Sequence, residues 1–287
     1  MGAQPRLVDE TQLDRHFGFG ENWSKLVEQI DDQRLARAVE DIYSFVGDLR
    51  GREFLDIGCG SGLSSLAAYH LGASKIVSLD IDPLNIQNTL RLKAKFGVPA
   101  SFPWTVETRS IVSEDDVRDL DMADVVYSWG VLHHTGAMWQ GIGNAASLVK
   151  PNGFLYLMLY RDAVCAPLWK AIKRTYVASP NFIKFVMRNA FAGAQISGML
   201  IKHRSPARVR KVIREYGDTS RGMSWYIDST DWIGGYPFEY AEAEEVIDFC
   251  RPRGFELKKI FPEISPRTFG WRGTGSYQYL LQKQPTQ

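Results

Sequence analysis

EFLDIGCGSG, from Glu53 to Gly62, is the stretch that decides the fold. EFLDIG reads as a short buried strand, and it runs into a loop so poor in side chains that a ligand can lie against the backbone. Ser64–Leu71 then has helical composition, with Gly72 placed to cap it. KIVSLDID (Lys75–Asp82) is a second strand, closed by Asp82-Pro83, and it carries Asp80 to its end, 18 residues after Gly62. In an open parallel sheet, ligands bind beyond the carboxyl ends of the strands near the point where strand order reverses. A carboxylate there can accept hydrogen bonds from both hydroxyls of a ribose.

The same rhythm continues outward. Leu84–Phe96 is an amphipathic helix stopped by Gly97, Trp104–Glu107 a third strand and Ala123–Gly130 a fourth. Met138–Leu148 is helical, Lys150–Gly153 a Pro/Gly turn, and FLYLMLY (Phe154–Tyr160) a fifth strand. Strands alternating with helices predict an α/β fold with a parallel sheet covered on both faces. Upstream, apolar residues one turn apart make Trp23–Val46 a helix. Beyond Tyr160 the rhythm breaks: Arg161–Tyr216 reads as mostly helical, and Gly217–Phe238 is rich in aromatics and glycine. It returns with a helix at Ala241–Cys250 and strands at Phe255–Phe261 and Ser276–Gln282. The organisation read from this is a helical segment (1–50), a Rossmann-like core (51–160), a helical and aromatic-rich insertion or lid (161–238), and a completion of the sheet (239–287).

Bulk composition narrows the function classes. The formal charge is +1 over 287 residues, which gives the molecule as a whole no preference for nucleic acid. The charge is unevenly placed, however: 13 Lys/Arg stand against 3 Asp/Glu between Arg161 and Arg221. Cys59, Cys165 and Cys250 are scattered, with neither a disulfide framework nor a zinc spacing, so no metal and a cytoplasmic setting are expected. The N-terminal MGAQPRLVDE lacks the apolar core of a signal peptide, and charges interrupt the greasy stretch Phe182–Ile201.

Two ligand classes compete for the glycine loop. Dinucleotide enzymes want G-x-G-x-x-G before a helix that faces a pyrophosphate, but here the spacing is G-x-G-x-G and Leu63 holds the third glycine's place. Asp56 sets a negative charge beside the loop, which suits a cationic amino acid better than a diphosphate. S-adenosylmethionine (SAM) carries an ammonium and a sulfonium and no phosphate, so the charges favour SAM over a nicotinamide cofactor.

FLDIGCGSGLSSLAAYHLGASKIVSLDIDP resembles the first motifs of class I SAM-dependent methyltransferases, and YSWGVLHHTG with LVKPNGFLYLMLY resembles their fourth and fifth strands. More narrowly, FGFGENW (Phe17–Trp23) is similar to the opening of a bacterial group distantly related to ubiquinone-pathway O-methyltransferases. The resemblance implies a seven-stranded sheet in the order 3-2-1-4-5-7-6 with one antiparallel strand, carrying an α-rich insertion after the fifth. It places Gly58, Cys59, Gly60 and Gly62 against the methionine part of SAM and Asp56 at its ammonium. Asp80 then holds the ribose, Ile81 packs on the adenine, Ser110 and Ile111 lie at the adenine edge, and Trp129 and Gly130 line the methyl end. Trp23, with Phe17 and Phe19, closes over the cofactor or pins the first helix to the sheet. The chain departs from the family where an acidic residue often meets the adenine amino group: Arg109-Ser110 stand there.

His133 and His134, just past the fourth strand, are the candidate general bases for a hydroxyl acceptor. Arg221, Tyr226, Trp232, Tyr236 and Glu239 form a polar-aromatic set suited to a small-molecule pocket, or else to a second hydrophobic core. The expected acceptor is a small molecule, anionic or lipid-linked, methylated on oxygen. The basic insertion, 161–221, fits a solvated helical face, an anionic acceptor or peripheral contact with a membrane. The fourth strand's end, Tyr127-Ser128-Trp129-Gly130, lacks the Asn-Pro-Pro-aromatic pattern of base-amine methylation, which argues against nucleic acid. A SAM-binding sensor or a non-catalytic partner subunit is the alternative of a different class, and a nicotinamide-dependent oxidoreductase the second enzyme alternative.

Overall fold

The computed structural model describes residues 20–216, 225–267, 269 and 274–285. Two helices, α1 (Gly20–Gln29) and α2 (Asp32–Val46), precede the sheet, where the apolar spacing of Trp23–Val46 predicts one. The break lies at Asp31, whose backbone is extended and whose carboxylate accepts the Arg34 N–H at 2.9 Å, starting a new helix. An apolar stripe continues across such a cap, so periodicity does not register it.

The core then alternates as expected: β1 (Glu53–Ile57), α3 (Leu63–His70), β2 (Lys75–Asp80), α4 (Pro83–Lys95) and β3 (Trp104–Thr108). A one-turn helix α5 (Glu114–Val117), β4 (Ala123–Trp129), α6 (Met138–Ser147) and β5 (Val149–Tyr160) follow. Next come α7 (Ala166–Ala178), α8 (Asn181–His203), α9 (Pro206–Arg214) and α10 (Trp225–Gly234), and the chain returns through α11 (Ala243–Cys250), β6 (Phe255–Phe261) and β7 (Ser276–Lys283). Among the described residues the strands form one seven-stranded sheet in the order β3-β2-β1-β4-β5-β7-β6. Strands β1 to β5 are parallel, and β7 runs antiparallel to both β5 and β6. This is the SAM-methyltransferase sheet that the resemblance implies.

Residues Lys150–Gly153, read as a turn, are instead part of β5. Pairing with β4 jumps from Ala123↔Val149 to Val125↔Phe154, so the extra residues bulge out, with Asn152 at φ 64°. Period-two alternation sends successive side chains to opposite faces. Leu55, Ile57, Leu79 and Val126 join α6 and α11 in one core, while Phe54, Ile76, Val125 and Tyr127 join α1 to α4 in the other. The helices after β5 have a small core of their own, with Cys165, Ala166, Trp169 and Phe238 at its centre and Tyr160 and Trp232 packed on it. No described helix is long and apolar enough to cross a membrane.

Strand order reverses between β1 and β4, so the crevice at their carboxyl ends is bounded by the glycine loop on one side and residues 129–134 on the other.

Candidate cofactor and acceptor site

The glycine loop is held from below. Leu79 C=O accepts the N–H groups of both Gly58 and Cys59, at 2.7 and 2.9 Å. Gly58 has φ +74°, and a Cβ there would stand 2.4 Å from Val131 Cγ2. A Cβ on Gly62, at φ +80°, would stand 2.8 Å from Thr89 Cγ2. Both positions therefore need glycine for backbone angle and for space. The Cys59 thiol is buried, accepts from Thr89 Oγ1 at 3.3 Å, and is pushed up by burial, so only its backbone faces outward chemistry. Trp23 lies over the loop: a Cβ on Gly60 would be 3.4 Å from its Cε2. α1, which carries it, is tied to α4 by Asn88 Nδ2 donating to Gly20 C=O (3.2 Å) and Ser24 Oγ donating to Asn88 Oδ1 (2.9 Å).

Asp80 sits at the strand end beside this loop. Its carboxylate accepts the Gly60 N–H at 3.0 Å and the Asp82 N–H at 2.9 Å, and burial raises its pKa to about 6. Backbone N–H groups favour the ionised form and the apolar surroundings oppose it; burial is the stronger effect. Ile81 follows, partly exposed at the crevice.

Asp56 has a different setting from the one at the loop mouth that its sequence position suggests. It is 2 % exposed and accepts from Ser65 Oγ at 2.6 Å. Ser65 is hydrogen-bonded to Ser78 Oγ at 2.7 Å, and that hydroxyl accepts from Trp104 Nε1 at 2.8 Å. Strand alternation explains it: Asp56 shares the face of Phe54, beneath α3.

Ser110 and Ile111 are buried after β3. Arg109 turns away, donating to Glu107 Oε2 at 2.6 Å and to the Asp116 C=O at 2.8 Å. An acidic group nonetheless reaches this place from α5, whose Asp116 carboxylate accepts the Ser110 N–H at 3.1 Å. Sequence reading passed over Asp116 because it lies eight residues past the strand in a run of exposed acids; its only sequence signal is the Ser113 cap that starts the turn.

On the far side, Trp129 ends β4 and Gly130 follows it, its N–H donating to Met158 C=O at 3.2 Å. The two histidines that follow have different surroundings. His133 is 1 % exposed, and its ring packs on Tyr160 with centroids 3.9 Å apart. The Tyr160 N–H lies 3.3 Å from its Nδ1, and the Met158 backbone is a further hydrogen-bond partner of the ring. Burial, with His134 and Lys173 nearby, holds its pKa well below the usual histidine value. His134 is half-buried and its Nδ1 lies 2.8 Å from Pro237 C=O. A carbonyl only accepts, so Nδ1 carries a proton in this bond. Gly235 makes room for this ring: a Cβ there would be 2.8 Å from His134 Cε1.

The polar-aromatic set is only partly brought together. Trp232 packs edge-on to Tyr160 at 5.2 Å, and its Nε1 is buried without a partner among the described residues. Tyr236 is partly buried against the same core, whereas Tyr226 is exposed, over Arg188. Glu239 accepts the Met138 N–H at 3.1 Å and so caps α6 rather than reaching toward the crevice. Arg221, Phe17 and Phe19 lie outside the described residues.

Lys173, which sequence reading missed, is fully buried beside this wall. Its ammonium lies 4.0 Å from the Trp232 ring centroid and 4.8 Å from that of Phe238, and it donates to Trp232 C=O. Burial lowers its pKa to about 7, against the pull of Asp231. Nothing in the sequence separates Lys173 from Lys170 and Arg174 on the same helix.

Comparison with known proteins bears on the domain and its fold. Residues 55–155 match the family described as "Methyltransferase domain". Ribosomal protein L11 methyltransferase of Azotobacter vinelandii is 38% identical over 137 residues, 47% of this chain and 42% of that protein. The Tolumonas auensis protein of the same name is 27% identical over 133 residues, 46% of this chain and 42% of its own. The chain thus spans less than half the length of the curated relatives it matches. Among solved structures, the [4+2]-cyclase SpnF aligns over 87% of this chain and 81% of its own at TM-score 0.52 and 13% identity. An O-methyltransferase family protein from Burkholderia thailandensis aligns over 93% and 59% at TM-score 0.50 and 13% identity. At these identities the structures speak for the fold alone, and one fold carries a protein named as a cyclase beside one named as a methyltransferase.

Proposed function

Because the chain carries a class I SAM-dependent methyltransferase domain, we propose that it transfers a methyl group from SAM to a hydroxyl oxygen of a small molecule. The observation that carries the reading is the pairing of two features across one crevice. One is the glycine loop, held at positive φ and laced to Asp80; the other is a histidine whose ring the Pro237 C=O fixes just past the end of β4.

SAM supplies a methyl on a sulfonium, already a good leaving group, for in-line displacement. What the chain adds is alignment, exclusion of water and a place for one proton. The loop backbone at Gly58–Gly62 takes the amino-acid part, and Asp80 offers its carboxylate to the ribose hydroxyls. Trp23 covers the loop, Ile81, Ser110 and Ile111 border the base, and Asp116 supplies the carboxylate for an adenine amino group. Trp129 and Gly130 line the methyl end.

His134 takes the hydroxyl proton on Nε2, while its Nδ1–H to Pro237 fixes the ring. His133 serves as a neutral wall. Trp232 Nε1–H is a buried donor without an acceptor among the described residues, and an oxygen-bearing acceptor molecule would satisfy such a donor. The separate aromatic core of the insertion, with Trp232 and Tyr236, is the proposed wall of the acceptor pocket. A second reading has a protein acceptor, and the similarity to ribosomal protein L11 methyltransferases favours it.

The test is incubation of the purified chain with methyl-labelled SAM and a cell extract split into small-molecule and protein fractions. Label in the small-molecule fraction, released again by ether-cleaving conditions, is the expected result. Label confined to protein moves the function to the second reading. Tight binding of S-adenosylhomocysteine with no turnover on either fraction identifies a sensor or partner subunit instead.

A further inference from the structure

Between β5 and α10 the chain builds a surface that the methyl-transfer site does not use. Helix α8 is 23 residues, about 34 Å long, and Ala192 is its one buried residue. The row facing solvent runs through Phe182, Val186, Asn189, Gly193, Ser197 and Leu200, one helical turn at a time, and it holds no charge. At its start, Phe182 and Phe185 are 73% and 56% exposed; at its end, Ile201 is 78% exposed. Isolated exposed apolar residues are ordinary, but an uncharged face with large apolar groups at both ends is not.

Along α7 to α9 the charge has one sign. From Ala163 to Arg214 there are 11 Lys/Arg and no Asp/Glu. Lys202 and Arg204 follow the apolar end of α8, and Arg208, Arg210, Lys211 and Arg214 are exposed on α9, whose single buried residue is Val209. None of these six makes an ion pair with a described residue. Arg188 leans over the Phe185 ring at 5.7 Å and the Tyr226 ring at 5.2 Å, keeping its charge at the flank of the apolar row.

We propose that the outer face of α8, with the cations of α9, docks on an anionic lipid bilayer. The combination of exposed aromatics with an all-basic rim is that of a helix lying in the headgroup plane. The charge pattern selects this occupant over a second copy of the chain, since a two-fold contact across α8 would set two all-basic rims against each other. Insertion across the bilayer is not involved, because α8 is not apolar enough to span it. The proposal stands apart from the methyl-transfer reading, although a docked insertion would bring the crevice to acceptors held in or on the membrane.

The experiment is co-sedimentation of the full chain with phosphatidylcholine vesicles, with and without phosphatidylglycerol. Binding at least about tenfold tighter to the anionic vesicles is expected, and it should weaken as salt is raised. Phe182→Ser with Phe185→Ser should reduce that binding by about tenfold or more through lost apolar burial. Arg208→Glu with Lys211→Glu should do the same through charge. All four positions are exposed, and S-adenosylhomocysteine binding by calorimetry confirms that each variant is folded, independently of whether methyl transfer occurs. Equal binding to neutral and anionic vesicles, or undiminished binding by the Phe182/Phe185 variant, overturns the proposal. So does a dimer in sedimentation equilibrium that the same two substitutions convert to monomer.

Discussion

The glycine loop and the proposed acceptor wall made by the insertion are built on opposite principles. Around Gly58–Gly62 the backbone is the working surface: positive φ angles, N–H groups held by Leu79 C=O, and side chains absent because a Cβ would collide. Around Tyr160, Lys173 and Trp232 the side chains are the working surface, and they are buried, ring against ring, with donors and a charge left inside. A backbone site tolerates one ligand class and varies little in what it can do. A side-chain site can be re-tailored without disturbing the sheet. The division suits a domain in which the cofactor is common and the acceptor is particular.

The contrast is sharpest where the two parts meet, at the histidines. His134→Gln should lower kcat by about 10²- to 10⁴-fold, the usual worth of a positioned base, while S-adenosylhomocysteine affinity stays unchanged. Loss of binding in that variant would mean that the ring belongs to the cofactor side. Gly58→Ala tests the other region and should act on the fold itself. Its Cβ would enter Val131 at a backbone angle that L side chains avoid, so about 2–4 kcal/mol of stability should be lost in urea unfolding. A variant of wild-type stability would show that the loop and the end of β4 are not in contact.

The unequal legibility of the two regions has the same origin. The strands, the glycine loop and Asp80 could be read because each depends on local pattern: short apolar runs, glycine spacing and a carboxylate at a strand end. The strand order came through the family resemblance. The α1–α2 break was not readable, because Asp31 caps a helix inside an unbroken apolar stripe. Nor was the turning of Asp56 beneath α3, which depends on Ser65 and Ser78 arriving from two other elements. Lys173 and the split between His133 and His134 were hidden for a like reason. Trp232, which covers Lys173, is 59 positions away and Pro237, which fixes His134, is 103, while His133 meets Tyr160 from 27 positions away.

A buried ammonium leaves a mark on stability against pH. Lys173 has its pKa lowered from 10.5 to about 7 by burial, so between those values the unfolded chain binds the extra proton and the native one does not. Stability should therefore rise with pH from about 7 toward 10.5, and Lys173→Met should lose that rise. Chemical denaturation at a series of pH values checks it; an unchanged slope in the variant would place Lys173 in contact with water.

Asp80 should give the smallest effect and the most direct reading of the backbone site. Its carboxylate already accepts two backbone N–H groups, and its pKa is nevertheless raised to about 6 because burial outweighs them. A ribose brings two hydroxyl donors to the ionised form and would favour it further. S-adenosylhomocysteine affinity should accordingly be full above pH 6 and fall as the pH drops through about 6, where the free protein takes up a proton that binding must expel. Asp80→Asn keeps the shape, loses the charge-assisted bonds, and should bind about tenfold more weakly at pH 7.5 with little dependence on pH. Calorimetry across that range separates the outcomes. If wild type and variant fall together on acidification, the titrating group lies on the insertion side of the crevice rather than at the end of β2.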